Sequence, residues 1–474
     1  MSSKIIGRKR ELAILEECYK SDSSEFIAIY GRRRVGKTYM IRQALGSRFA
    51  LYVTGLANGK KKEQLCNFCQ AVSQYLNIDY VAAENWMQAF RFLSEAIRNN
   101  EECRGKKVLF IDEMPWMDTP QSDFLMALEW FWNSFASARD DIMLIVCGSA
   151  TTWITNKIIH NHGGLYGRLT SKIHLKPFTL AECEEFYAMK KIVMKRHEQL
   201  MAYMIFGGIP YYLNYLKHDQ SLDQNVNRLC FAENAILKNE YHDLYRSLFN
   251  SPEKYIAVVN ALAGKSSGMN RNELCKTAKL QPSGATTKIL EDLELCGFIR
   301  SFNGLGKGRK NRMYQFVDFF SLFYLKFMAN NGKDKNFWTH IINTPTYNTW
   351  SGYAFEQVCL AHTEQIKKAL GISGILTNVA SWRSNAKRSA AQIDLVIERA
   401  DKMINLCEMK YSTKPYTITK SYSASLERKK WAFEEETKTK YGIFQTMITT
   451  YGVSKKGYFG SVDCEVVMDD LFIK

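Results

Sequence analysis

A glycine-rich loop near the start of the chain has the residue types that bind phosphate. Residues 31–38 read Gly-Arg-Arg-Arg-Val-Gly-Lys-Thr, a complete G-x4-G-K-T pattern between an apolar run and a helical pattern. Backbone N–H groups of such a loop cradle phosphates, Lys37 would reach the β- and γ-phosphates, and the Thr38 hydroxyl would ligate Mg²⁺. Two interpretations of the three arginines stay open: they contact the nucleotide or a partner, or they are solvated surface charges. We predict an ATP site formed by Gly31, Arg32, Arg33, Arg34, Val35, Gly36, Lys37 and Thr38.

Two acidic residues lie at the end of a second apolar run, downstream of this loop. Asp112 and Glu113 follow the run Val108–Ile111. In a phosphate-binding site of this kind, Asp112 would hold the Mg²⁺ shell and Glu113 would polarise the attacking water. Ser149, after the next apolar run, would sense the γ-phosphate, with a helix N-cap as its alternative. Arg168 would offer positive charge to the γ-phosphate of its own or a neighbouring subunit, or else be an ordinary surface arginine.

A second group of candidate residues lies near the C-terminus. The apolar runs 392–398 and 403–411 predict two strands joined by a turn. In such a hairpin Asp394 lies opposite or diagonal to Glu408, and Glu408 shares a face with Lys410 because the two are two positions apart. The pattern therefore places two carboxylates and an ammonium together. A solvated hairpin face is the alternative.

The chemistry of this second group suits a phosphodiester. Asp394 and Glu408 would hold Mg²⁺ or Mn²⁺, and Lys410 would orient or activate a water molecule. The segment 353–360 predicts an amphipathic helix on which Glu356 adds a third carboxylate. We therefore predict metal ligands at Glu356, Asp394 and Glu408, and catalytic roles for Glu408 and Lys410. Basic residues ahead of the hairpin would suit a phosphate backbone, namely Arg383, Lys387 and Arg388.

The composition narrows the class of protein. A chain of 474 residues is long enough for roughly two to four domains, and 46% hydrophobic with 13% aromatic residues indicates globular folding. A net charge of +16 favours a polyanionic partner, nucleic acid first and an anionic membrane surface second, with a generally basic soluble protein as the alternative. We see neither an apolar signal sequence nor a run approaching the roughly 18 residues of a membrane span, so we expect a cytoplasmic location. The 12 cysteines, including the lone Cys66-x-x-Cys69, suggest reduced, packed thiols.

The elements that must position these residues alternate between strand and helix over the first 180 residues. Apolar strands separated by helices predict an α/β fold with a parallel sheet covered on both faces. After residue 180 the strand signals stop, and helices at 181–189, 197–206 and 232–245 suggest a helical lid. The predicted strands of the sheet are 26–30, 50–54, 107–113, 143–149 and 171–176.

Residues 252–328 carry a different pattern, three helices followed by two strands that flank a basic loop at 303–311. This order predicts a winged helix-turn-helix, whose third helix would enter a DNA major groove while the basic wing meets phosphates. A winged helix used only for protein contacts is the alternative. From about 340 onward the pattern is again mixed α/β. The predicted helices are 253–262, 271–278 and 283–296, and the predicted strands are 298–302 and 312–317.

Together these motifs resemble one known family, the archaeal-type ATPases of the STAND branch of AAA-like P-loop NTPases. In that family a winged helix follows the ATPase, and a domain of the PD-(D/E)xK nuclease superfamily comes last. The resemblance implies a core sheet with the strand order 5-1-4-3-2. The motifs that carry it are the loop at 31–38, Asp112-Glu113, Gly148-Ser149, Tyr166-Gly-Arg168, Leu175-Lys-Pro-Phe178 and the final Gln392-Ile-Asp and Glu408-x-Lys410.

The resemblance also assigns roles by motif. Lys37, Thr38, Asp112 and Glu113 would serve ATP. Ile393 stands where the nuclease superfamily has a proline. The nuclease-type positions would be Glu356, Asp394, Glu408 and Lys410. The implied domains are a P-loop ATPase at 1–179, a helical lid at 180–250, a winged helix at 251–330 and a restriction-endonuclease-like α/β domain at 340–474.

Three functions are compatible with these observations. The first is an ATP-dependent enzyme acting on DNA, in which the nucleotide state gates a metal-dependent nuclease. The second is an ATP-dependent signalling or assembly switch that forms a nucleotide-dependent homo-oligomer and whose C-terminal domain only binds nucleic acid or protein. The third is a DNA-binding regulator. We expect ATP and Mg²⁺ as cofactors, DNA as a partner, and no membrane association.

Overall fold

The computed structural model of the chain divides after Pro177 into two units, residues 1–177 and 178–474. It describes residues 5–100, 105–161, 163–302, 312–329, 334–384 and 391–474. The wing loop predicted at 303–311, with Lys387 and Arg388, lies outside the described residues. Within the described ranges, no helix is long and apolar enough to cross a membrane.

A parallel five-stranded sheet forms the centre of the first unit. Its strands are β1 (Glu25–Tyr30), β2 (Phe49–Thr54), β3 (Lys107–Asp112), β4 (Ile142–Gly148) and β5 (Ser171–His174). The order across the sheet is β2-β3-β4-β1-β5, and all neighbouring pairs are parallel. Every residue of β3 and β4 is buried, as expected for strands covered on both faces. The α/β fold and the strand order 5-1-4-3-2 are thereby confirmed.

Helices connect these strands, and those at 61–76, 86–99 and 124–134 bury their apolar faces in one core. Aromatic side chains fill that core, where Trp86 packs edge-on against Phe124 with ring centroids 4.8 Å apart. The helices are α1 (Lys9–Lys20), α2 (Lys37–Leu45), α3 (Lys61–Leu76), α4 (Trp86–Asn99), α5 (Phe124–Ser134) and α6 (Thr151–Trp153).

The second unit begins with five helices. They are α7 (Leu180–Met189), α8 (Arg196–Phe206), α9 (Pro210–Leu213), α10 (Leu222–Val226) and α11 (Glu240–Leu248). The helix predicted at 232–245 is wrong in its first half, because residues 232–239 form turns. There the N–H of Leu237 bonds to the carbonyl of Leu229 at 3.0 Å, a span of eight positions that no helix makes.

Three helices and a small sheet follow. The helices are α12 (Pro252–Ala263), α13 (Arg271–Thr277) and α14 (Gly284–Leu295), and the strands are β6 (Met269–Asn270), β7 (Ile299–Phe302) and β8 (Met313–Phe316). The sheet has the order β6-β8-β7 with antiparallel neighbours. Gly297 ends α14 with a φ of 72°, which suits a residue without a side chain. The predicted elements are present, and their use in reading DNA stays a prediction.

The last part of the second unit is a mixed sheet with helices. Helices α15 (Phe319–Phe323), α16 (Phe337–Ile341), α17 (Pro345–Ala361) and α18 (Thr363–Ala369) lead to the strands β9 (Thr377–Arg383), β10 (Gln392–Arg399) and β11 (Met403–Lys410), then α19 (Lys420–Thr437), β12 (Gly442–Thr449) and β13 (Cys464–Val467). The order is β13-β12-β11-β10-β9. β9, β10 and β11 are antiparallel neighbours, whereas β11, β12 and β13 run parallel.

Candidate functional sites

The glycine-rich loop joins β1 to α2 and is shaped by two glycines. Gly31 has a φ of 141°, and a Cβ there would lie 2.3 Å from the carbonyl oxygen of Leu175. Only glycine therefore fits at this close approach. Gly36 precedes α2 with a φ of 90°, and a Cβ there would meet nothing within 4 Å. The loop thus has an open side above the N-terminus of α2, where backbone N–H groups favour an anion.

Lys37 opens α2 and folds back over the loop. Its Nζ donates to the carbonyl oxygens of Gly31 at 2.8 Å and Arg32 at 3.0 Å. The side chain is buried, so these carbonyls replace the water that an exposed ammonium would have. Phosphate oxygens of a nucleotide would offer the same ammonium a stronger, charged acceptor. The geometry therefore fits the phosphate-binding role predicted for Lys37.

Thr38 and Asp112 are joined at the end of β3. The Thr38 hydroxyl donates to Asp112 Oδ2 at 2.8 Å, and the N–H of Glu113 donates to Oδ1 at 3.0 Å. Burial raises the pKa of Asp112, while the bond from Thr38 opposes that rise. A hydroxyl oxygen beside a carboxylate is the hard-oxygen donor set that Mg²⁺ prefers. The residues predicted to serve Mg²⁺ are therefore brought together and suit the ion.

Glu113 is held by Ser149. The Ser149 hydroxyl and N–H both donate to Glu113 Oε2, at 2.9 Å and 3.2 Å. Glu113 also has a left-handed backbone with a φ of 45°, a conformation that non-glycine residues adopt at a cost and that recurs at active sites. The alternative role of Ser149 as a helix N-cap is wrong, because Ala150 precedes α6 and the hydroxyl bonds Glu113 instead.

The four arginines assigned to this site differ in their surroundings. Arg32 is buried, so plain solvation is wrong for this residue, and Arg33 and Arg34 are half-buried. Arg34 has a left-handed φ of 73° that helps to turn the loop. Arg168 is exposed, which leaves it accessible to a neighbouring molecule.

Arg8 contacts the loop but was not among the predicted residues. Its Nη2 donates to the carbonyl oxygen of Val35 at 3.2 Å, and its side chain is buried. Gly7 and Arg8 both have positive φ values, 60° and 55°, and this turn brings the segment before α1 back to the loop. The Gly-Arg pair was visible in the sequence, but nothing there marked the arginine as buried.

The C-terminal candidates meet on β10 and β11. The register of the two strands pairs Leu395 with Cys407, and its continuation by one position sets Asp394 opposite Glu408. The pairing of β10 with β9 shifts between Ile393 and Val396, an irregularity of the kind that often re-aims side chains beside active sites. Gln392 Nε2 donates to Asp394 Oδ1 at 2.7 Å. The hairpin therefore brings together the two carboxylates as predicted from spacing.

Helix α19 contributes two residues that spacing did not reveal. Lys429 Nζ lies 2.5 Å from Glu408 Oε1, and the Tyr422 hydroxyl donates to Glu408 Oε2 at 3.3 Å. Lys410 Nζ lies 5.1 Å from the centre of the Tyr422 ring, within the range of a cation–π contact. Both residues come from a helix that follows the hairpin by ten residues or more, and only packing brings them to it.

Glu356 lies on α17 near the same carboxylates. Burial first, and then the charge of Asp394, raise the pKa of Glu356 to about 8, while Lys410 acts in the opposite direction. At neutral pH this carboxyl holds a proton in the present arrangement. These interactions place Glu356 within electrostatic reach of both strands.

The predicted three-carboxylate metal site is not assembled. Across the part of the chain that the structure describes, no three acidic, histidine or cysteine side chains form a group that could hold a metal. The physical reason is competition, because Glu408 bonds Lys429 and Tyr422, and Asp394 accepts a bond from Gln392. The carboxylates still have the chemistry that suits Mg²⁺ or Mn²⁺, but Glu356, Asp394 and Glu408 do not converge as a ligand set.

Comparison with known proteins agrees with the geometry of the first site. Residues 5–216 match the profile of a family described as an ATPase domain predominantly from Archaea. This chain carries an archaeal-type ATPase domain. The glycine-rich loop, Asp112, Glu113, Ser149 and Arg168 all lie inside the ATPase domain.

Relatives of the chain extend beyond the ATPase domain. The uncharacterized protein MJECL04 of Methanocaldococcus jannaschii is 25% identical over 414 residues, which are 86% of this chain and 87% of that protein. The uncharacterized ATP-binding protein MJ0423 of the same organism is 42% identical over 43 residues, 9% of this chain and 73% of that protein. The Walker-type ATPase PABY2304 of Pyrococcus abyssi has a TM-score of 0.50 at 17% identity, over 68% of this chain and 96% of that chain. This last likeness shows a shared fold.

Proposed function

We propose that this protein is an ATP-dependent enzyme acting on DNA, in which the nucleotide state of the ATPase domain gates a metal-dependent nuclease site in the C-terminal part. The observation that carries the proposal is the meeting of Asp394, Glu408 and Lys410 on adjacent strands, beside Glu356 of α17. Carboxylates next to a lysine suit the hydrolysis of a phosphodiester. The net charge of +16 supports a polyanionic substrate.

In the ATPase domain, hydrogen bonds within the protein would be exchanged for bonds to the nucleotide. Lys37 would leave the carbonyls of the loop for the β- and γ-phosphates, and Thr38 with Asp112 would hold Mg²⁺. Glu113 would polarise the attacking water, and the Ser149 hydroxyl would sense the γ-phosphate by exchanging its bond to Glu113 for one to that phosphate. The bond between Ser149 and Glu113 supports this role, because it places the hydroxyl beside the predicted base.

In the C-terminal part, the side chains would divide the work on a phosphodiester. A divalent ion, when bound, supplies a charge that stabilises the phosphoryl oxygens, with Asp394 and Glu408 as its protein ligands. Lys410 would orient a water molecule toward the phosphorus. Glu356, whose pKa is raised by burial and by Asp394 in the metal-free site, would donate a hydrogen bond to the phosphate or to that water while it is protonated.

A switch without nuclease chemistry is the second candidate function. Two observations favour it, namely the pairing of Glu408 with Lys429 and the exposure of Arg168, which could reach a neighbouring subunit. In that case ATP would drive assembly of a homo-oligomer, and the C-terminal part would bind nucleic acid or protein. It predicts an ATP-dependent increase in mass by light scattering that persists in Asp394→Ala and is lost in Lys37→Ala.

DNA cleavage by full-length protein tests the nuclease site. Supercoiled plasmid and single-stranded DNA are incubated with Mg²⁺ or Mn²⁺, with and without ATP. We expect metal-dependent cleavage by the native protein and a loss of about a hundredfold or more in Glu408→Ala and Lys410→Ala, with ATP hydrolysis unchanged. Lys414→Ala, an exposed lysine of the same unit, is the matched control. No cleavage of either DNA under any combination of metal and nucleotide contradicts the proposal.

A further inference from the structure

The carboxylates of the C-terminal site face cationic side chains from three different elements. Lys410 extends from β11 and Lys429 from α19, and Arg300 extends from β7 in the small antiparallel sheet. Asp394 and Glu356 act electrostatically on Arg300, and Lys410 and Lys429 act on Glu356. The carboxylates of Asp394 and Glu408 are therefore opposed by three cationic groups within the second unit. A divalent ion would add two charges to a cluster that the protein has already compensated.

Lys429 is the cation in direct contact with a predicted metal ligand. Its ammonium lies 2.5 Å from Glu408 Oε1, and the side chain of Glu408 is only 4% exposed, against 24% for Lys429. The other oxygen of Glu408 accepts the Tyr422 hydroxyl. Both oxygens of the carboxylate thus already accept a hydrogen bond, so an ion that binds Glu408 would have to share an oxygen with the Lys429 ammonium or displace it. In a poorly hydrated site an ammonium and a divalent ion on one carboxylate repel each other strongly.

Arg300 is fixed in place by contacts on its own sheet. Its Nε donates to Gln315 Oε1 at 2.7 Å, and Gln315 Nε2 donates to the carbonyl of Ser266 at 2.6 Å. The hydroxyl of Tyr353 on α17 donates to the carbonyl of Phe316 at 2.8 Å, which joins that sheet to α17. Glu356 is three positions after Tyr353 and therefore lies on the same side of α17. Arg300 is therefore bonded within its own sheet, whereas Lys429 bonds a carboxylate of the proposed metal site.

We infer that Lys429 is a built-in competitor of the divalent metal ion, occupying Glu408 until the lysine is drawn away. The inference rests on the proposed nuclease site and names how that site is regulated. Lys429 is partly exposed and lies on the helix beside the hairpin, where a phosphate group of the substrate would accept a hydrogen bond from its ammonium. A phosphate would thereby free Glu408 for the ion, so substrate and metal would bind together and the empty protein would exclude metal.

Titration of full-length, nucleotide-free protein with Mn²⁺, followed by electron paramagnetic resonance, tests the competition. We expect Lys429→Gln to bind Mn²⁺ about tenfold more tightly than the native protein, and Lys429→Arg, which keeps the charge, to resemble the native protein. The added affinity should disappear in the double variant Lys429→Gln with Glu408→Ala. Lys430→Gln removes the same charge from the next position of α19 and should leave Mn²⁺ affinity unchanged.

The outcomes separate the inference from the function on which it rests. If Glu408→Ala weakens Mn²⁺ binding but Lys429→Gln does not tighten it, the competition is contradicted while the metal site stands. If neither change affects Mn²⁺ binding, the metal site itself is contradicted, and the inference with it. Unchanged circular dichroism spectra of all variants confirm that the comparison is between folded proteins.

Discussion

Individual side chains of the ATP site are already paired with one another. Lys37 bonds the loop, Thr38 bonds Asp112, and Ser149 bonds Glu113. Nucleotide binding at this site is therefore an exchange of hydrogen bonds rather than a simple addition, and the energy gained is the difference between the two sets. Among these pairs, the one between Ser149 and Glu113 bears on the rate of hydrolysis, because it orients the predicted base.

Changing Ser149 to alanine should slow ATP hydrolysis without preventing ATP binding. The substitution removes the 2.9 Å bond that holds Glu113 Oε2, while the N–H contact and the whole phosphate-binding loop remain. We expect kcat to fall about tenfold or more and ATP affinity to change less than about threefold, as for a misoriented general base. Steady-state ATP hydrolysis and equilibrium binding of a fluorescent ATP analogue measure the two quantities.

Ser137→Ala is the matched control, because the Ser137 hydroxyl is exposed and bonds only locally to the carbonyl of Asn133 at 3.3 Å. If Ser149→Ala keeps the native kcat, Ser149 has no role in orienting the base for hydrolysis. Equal losses of kcat in both variants would point instead to a general loss of folded protein.

Two helices of the second unit are joined by a buried histidine. His362, directly after α17, accepts the N–H of Leu180 at Nε2 over 2.9 Å and bonds the carbonyl of Val358 through Nδ1 over 2.8 Å. The first bond satisfies an N–H at the start of α7 that has no partner within its own helix. Burial lowers the pKa of His362 from 6.5 to about 4. A proton on Nε2 would break the bond to Leu180.

This histidine should make the second unit less stable in acid. Because the pKa is lower in the folded than in the unfolded state, stability is fully present above pH 6.5 and is lost as the pH falls toward 4. The loss from this group amounts to about 2 kcal/mol at pH 5. In thermal unfolding at pH 7.5 and pH 5, His362→Gln should lose less stability between the two conditions than the native protein.

His218→Gln, which changes an exposed histidine, should lose as much stability between the two conditions as the native protein does. An identical acid-induced loss in His362→Gln and the native protein would mean that His362 does not titrate on unfolding. Each substitution also changes stability at neutral pH. Taking the difference in stability between the two pH values for each protein removes that contribution.

Across the whole molecule, the sequence predicted well those features of the fold and the sites that depend on local residue patterns. Apolar runs gave the strands of the first sheet and the hairpin of β10 and β11, and spacing gave the pair Asp394 and Glu408. Contacts that depend on packing were not predictable. Lys429 reaches Glu408 across 21 positions, and Arg8 reaches Val35 across 27.

The most direct test of the central claim measures whether nucleotide controls cleavage. Native protein and Lys37→Ala are compared on supercoiled plasmid with Mn²⁺, in the absence of nucleotide and with ATP. We predict that ATP changes the cleavage rate of the native protein at least about fivefold, that Lys37→Ala shows no such change, and that Glu408→Ala is inactive in both conditions. Cleavage that depends on Glu408 but is the same with and without ATP, in both proteins, would contradict nucleotide gating.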